Sequence, residues 1–119
     1  MIMENQEFNE KLKSFCREAG ADLVGIAPVE RWAAEGVVPD DFRPQSIWTP
    51  ARSVIVMGKG MPLPIVESTP SVLHMELYKT VNIQLDALAY DTTRYLNRLC
   101  HGATFFSRDG YNSLKAFRK

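Results

Sequence analysis

Apolar residues recur along the first segment at intervals of four, three and four: Phe8, Leu12, Phe15 and Ala19. On a helix this spacing gathers them on one face. The charged residues Glu10, Lys11, Lys13, Arg17 and Glu18 fall largely elsewhere, so an amphipathic helix is predicted over residues 5–19. Gly20 is the expected C-terminal cap, because glycine takes positive φ without steric cost. The pattern then changes. Residues 21–27 (ADLVGIA) are short and apolar and predict a buried strand, which Pro28 ends. A short helix is predicted over 29–35, with Pro28 at its first turn. The stretch 37–50 holds Pro39, Pro44 and Pro50 and predicts a loop that is neither a central strand nor a regular helix.

Residues 51–58 (ARSVIVMG) form the most continuous apolar run and predict an interior strand covered on both faces. An irregular turn is expected at 59–64. From 71 to 101 a stripe of Leu73, Leu77, Val81, Leu85, Leu88, Thr92, Tyr95 and Leu99 predicts one long helix. Thr69 or Ser71 is its expected N-terminal cap and Gly102 its C-terminal one. Residues 103–107 predict a third strand, Arg108-Asp109-Gly110 a turn, and 111–119 the start of another helix. Helices alternating with few strands predict a layered fold, α/β or α+β, with a small sheet, an N-terminal helix and one long helix. Residues 1–119 read as a single domain or part of one.

Composition narrows the function classes. The chain has 119 residues, 45% hydrophobic and 24% charged, with 14 basic and 14 acidic side chains. That size buries a core without metals or disulfides. The zero net charge gives no support to bulk electrostatic binding of nucleic acid or anionic membrane. No run approaches the ~20 apolar residues of a membrane span, and the first residues lack a signal-peptide core, so a cytoplasmic protein is expected. The two cysteines, Cys16 and Cys100, form no closely spaced pair, whereas iron–sulfur and structural zinc sites take about four ligands. Both are expected as buried thiols, with a disulfide between them left open.

Candidate chemistry is sparse. Ser107-Arg108-Asp109-Gly110-Tyr111 places a carboxylate, a guanidinium and a phenol after a predicted strand end, where ligands bind in open sheets. Asp109 and Tyr111 could serve acid–base chemistry, or the segment is a surface turn with a solvated Arg108. Gly58-Lys59-Gly60 offers at most a weak anion site, since it lacks the Ser/Thr and helix of a phosphate loop. Arg52-Ser53 reads as the start of a strand. His74 and His101 are isolated and read as surface or packing residues, and Asp86 and Asp91 as a solvated helix face. Trp32 and Trp48 flank the proline-rich loop, placed either to pack over the core or to line a pocket for a planar ligand.

Two blocks carry a family resemblance: the first helix with residues 20–27 (GADLVGIA), and residues 50–58 (PARSVIVMG). Together they resemble the opening of epoxyqueuosine reductase and related iron–sulfur reductases. The resemblance implies a nitroreductase-like α+β domain that binds a corrinoid (cobalamin), followed by a ferredoxin-like domain with two [4Fe–4S] clusters. This chain would then be the amino-terminal part of a divergent reductase, inactive alone, its cobalamin and clusters belonging to the full-length protein. Asp109 is the nearest equivalent of the family's proton donor, with Gly58, Gly60 and Arg108 as cofactor-side candidates. The family's C-x-x-C runs and the glycine-rich segment after its third strand are absent here, and His74 and Tyr78 are separated. The alternative is a stand-alone, non-catalytic small-molecule-binding or dimerisation module. In either case a homodimer is expected to cover the thin sheet.

Overall fold

A computed structural model of the chain describes residues 6–33, 38–68 and 70–106. It shows a small α+β fold built on a two-stranded antiparallel sheet and one long helix. Helix α1, Gln6–Glu18, matches the predicted amphipathic segment and buries Asn9, Leu12 and Cys16. It ends at Gly20, whose φ is +124°. Gly20 N–H donates to Arg17 C=O (3.1 Å) and Ala21 N–H to Cys16 C=O (2.9 Å), the two bonds of a Schellman motif.

Strand β1, Leu23–Pro28, pairs with β2, Ser53–Gly58, in the register Val24↔Met57 and Ile26↔Ile55. Because side chains alternate along a strand, these four residues share one face and pack against the core of Leu12, Cys16, Ala21, Leu88 and Leu96. On the opposite face Leu23 and Val56 are exposed. The expected covering of β2 on both faces is therefore not met: the described helices pack on one side only.

The 27-residue helix α4, Val72–Arg98, starts at Ser71, whose Oγ accepts the His74 N–H at 3.0 Å, the expected cap. It buries Leu88, Thr92 and Leu96 against α1 and the sheet. Phe15 of α1 stacks on Tyr95 with ring centroids 4.1 Å apart, and Phe8 meets His101 at 4.7 Å. Between the strands lie a 3-10 turn at Val29–Ala33, another at Asp40–Phe42 and the one-turn α2, Pro44–Ile47. The five-residue α3, Leu63–Glu67, precedes α4.

Several expectations are corrected. The helix predicted over 29–35 is a 3-10 turn over Val29–Ala33, and the proline-rich loop contains a helical turn because Pro44 sits at the first helical position, where its missing N–H costs nothing. Residues 103–106 run without strand pairing, so the predicted third strand is absent there and, among the described residues, the sheet has two strands, not three. The long helix is capped by Cys100 rather than Gly102. Cys100 takes φ +67°, its N–H donates to Asn97 C=O (3.0 Å), and His101 N–H donates to Leu96 C=O (2.9 Å). Cys100 is exposed, not buried, and both thiols are free. Leu73 and Leu99 of the predicted stripe are exposed, while Leu96, off the stripe, is buried.

Candidate functional site

A groove of about 420 Å³ lies between β2, α4 and residues 102–106. A cavity of this size suits a small ligand. Its β2 wall is the strand's edge rather than one face, since Ser53 to Met57 all line it in succession. Backbone geometry explains this. Val29 N–H donates to Arg52 C=O at 3.1 Å, one rung of the antiparallel ladder. Rungs repeat every second residue, so Val54, Val56 and Gly58 face β1. Ser53, Ile55 and Met57 turn their N–H and C=O groups the other way, towards the groove.

Local bonds fix the end wall. Trp48 N–H donates to Pro44 C=O (2.9 Å) and Ala51 N–H to Trp48 C=O (3.0 Å), while the Gln45 side chain donates to Ala51 C=O (3.2 Å). The helical turn of α2 thus sets Trp48 at the groove, beside Gly102, where an added Cβ would lie 3.8 Å from the indole Cη2. On α4 the groove takes Asn82, Asp86, Ala89 and Thr93, a second stripe at spacings of four, three and four beside the buried one. Phe105 and Phe106 complete the rim, with Phe105 edge-on to Tyr90 at 5.8 Å.

Of the residues singled out in the sequence, Trp48, Ser53 and Asp86 line this groove. Asp86 had read as part of a solvated face. Asn82, Thr93 and Phe105 were missed; the stripe of small and polar residues on α4 was the only sequence signal of the first two, and Phe105 was legible only as part of the predicted strand 103–107. Gly58 ends β2 immediately after the groove residue Met57 and opposes Leu23, and Asp22 N–H also donates to its C=O (2.9 Å). Gly60 N–H donates to Asp22 Oδ2 at 2.6 Å, and Lys59 Nζ reaches over Gly20 at the C-terminal end of α1. The protein's own carboxylate therefore occupies the donor that the Gly58-Lys59-Gly60 turn would offer an anion. Arg108, Asp109 and Tyr111 lie outside the described residues.

The second polar feature is buried. Thr92 Oγ1 lies 2.9 Å from Leu88 C=O and 3.7 Å from both Cys16 Sγ and Met57 Sδ. A hydroxyl has one hydrogen. It goes to the carbonyl at the shorter distance, leaving the lone pairs to accept the Cys16 S–H. Burial pushes the Cys16 thiol above its ordinary value, against a smaller downward pull from the Arg17 charge. A protonated thiol is a poor nucleophile and metal ligand, so this cluster is packing.

No group of three or more His, Cys, Asp or Glu side chains able to hold a metal occurs among the described residues. Cys16 and Cys100, one buried and one exposed, do not make the donor set of an iron–sulfur cluster. Among the described residues no histidine lines the groove, so these residues offer a corrinoid an apolar edge and no cobalt ligand. No helix is long and apolar enough to cross a membrane among the described residues. Comparisons with known protein families, characterised proteins and solved structures find no match for this chain.

Proposed function

We propose that the groove between β2 and α4 binds a small molecule. We propose further that the chain is the amino-terminal, nitroreductase-like part of an epoxyqueuosine reductase-like oxidoreductase. The observation that carries the binding reading is the outer β2 edge, with which no described strand pairs, facing Trp48 and Asp86 across about 420 Å³. Backbone donors and acceptors beside aromatic rings are what a ligand pocket uses to orient its guest. The reductase reading is supported by the sequence blocks and by the order of α1, β1, β2 and α4. In that reading the clusters and the redox chemistry belong to parts of a larger protein, and this part holds and orients the guest. Cobalamin titration, read by corrin absorbance and by Trp48 fluorescence, tests it. Saturable binding that Trp48→Ala weakens supports the reading, and no binding removes the corrinoid from it.

A second reading, a dimerising module, is favoured by one observation. Val72, Leu73, Met75, Tyr78 and Ile83 of α4 are all exposed, and no further described strand pairs with the edges of the sheet. Light scattering decides this: a mass that stays monomeric across micromolar concentrations removes it.

A further inference from the structure

One wall of the groove carries a repeating pattern that an extended chain matches. Ser53, Ile55 and Met57 each present an N–H and a C=O towards it, and among the described residues no hydrogen bond is made to these groups. Half-buried main-chain groups gain by finding partners. The repeat is about 7 Å, the two-residue step of a strand. A flat ring or a compact ion meets one such pair. A second extended chain carries the same repeat and meets them all. The opposite wall has the length for it. Asn82 to Leu96 of α4 cover about 20 Å of helix and β2 is about 20 Å long, room for about six residues of extended chain. The walls also set the side-chain pattern. Ile55 and Met57 point to the inner face of the sheet, so a guest residue directly opposite them points the same way, towards Leu85, Ala89 and Leu96, and its neighbours point away.

We infer that the groove is a slot for a short peptide in extended form, which pairs with the outer edge of β2 and is apolar at alternate residues. The inference rests on the groove being a ligand site and adds the chemical class of its guest.

The test uses the full chain carrying Trp32→Phe, so that Trp48 is the sole tryptophan reporter. The probe is a blocked pentapeptide of alternating threonine and valine. It is expected to change Trp48 fluorescence saturably and to slow exchange of the Ile55 amide hydrogen, which exchanges fast in the free chain. The same peptide methylated at every backbone nitrogen keeps its side chains but has no N–H to donate, and should bind at least about tenfold more weakly. Ser53→Pro removes one outward N–H and leaves the bonds to β1 in place, so it should weaken the parent peptide about three- to tenfold. The inference is overturned if the methylated peptide binds as tightly as the parent, or if the Ile55 amide already exchanges slowly without peptide. In that second case, slowing that grows with protein concentration assigns the edge to a second copy, and slowing that does not assigns it to the chain itself. Nile red, a compact dye, separates the two levels of the argument. If it quenches Trp48 and the peptide does not bind at about 1 mM, the groove stays a ligand site and the peptide class is overturned. If neither binds, the ligand-site reading goes with it.

Discussion

The two halves of α4 are written in similar residues and end in different surroundings. In the second half Leu88, Thr92 and Leu96 are each 3% exposed, pressed against α1 and the inner face of the sheet. In the first half Leu73 is 63% exposed, and Val72, Met75, Tyr78 and Ile83 are exposed with it. Length accounts for the contrast. Strands of six residues span about 20 Å and a helix of 13 residues about 20 Å, whereas a helix of 27 residues spans about 40 Å. The core can cover only about half of α4, and α3, five residues long, is too short to cover the rest. An apolar stripe states that a helix can be buried; the partner's length decides how much of it is.

Truncating a leucine in each half gives the sharpest contrast. Leu88→Ala removes a side chain enclosed by the core and is expected to cost about 2–5 kcal/mol. Leu73→Ala removes one that stays in contact with water and should cost less than about 0.5 kcal/mol. Urea midpoints of both variants check this. Comparable losses would mean that the first half of α4 is covered in solution, as a dimer through that surface would do.

The same contrast explains how much the sequence could show. Whatever depends on neighbours a few residues away was legible: the face of α1, the Gly20 cap, both strands and the Ser71 cap. What depends on distant partners was not. Residues 103–106 have strand-forming composition, but a strand exists only by pairing, and here they flank a groove instead. Leu73 and Leu99 obey the helical period, yet nothing described lies opposite them to bury them. The groove was least legible. Asp86 and Asn82 on a helix look solvated until Trp48 and the edge of β2 are placed across from them, and those come from 25 or more residues earlier in the chain.

Within the packed half, the two thiols provide a smaller and chemically distinct comparison. In the folded chain a thiol reagent should modify the exposed Cys100 and spare the buried Cys16, which becomes reactive on adding denaturant. The pH dependence follows from the raised pKa of Cys16. The unfolded thiol ionises near about pH 8.5 while the folded one keeps its proton. Cys16 thus contributes stability that is fully present below the unfolded value and is lost as pH rises through the folded value. Urea midpoints at about pH 7 and about pH 9.5 should fall for the parent and fall less for Cys16→Ala. Equal slopes would show that the thiol is not held in a desolvated site.

The smallest effect concerns where the packed half ends. Cys100 adopts φ +67° at the position after the helix cap that glycine normally takes, and a side chain there costs about 1–2 kcal/mol. Glycine relieves that strain but is freer in the unfolded chain, which returns about 0.5–1 kcal/mol, so Cys100→Gly should stabilise by about 0.5 kcal/mol. Gly102 is the informative control. Its backbone is outside the left-handed region, and an added Cβ would make ordinary contact with Trp48, so Gly102→Ala should be tolerated. If instead Cys100→Gly destabilises and Gly102→Ala is costly, the chain leaves the helix at Gly102. The path of residues 102–106 along the groove would then be displaced, and the groove wall they form with it.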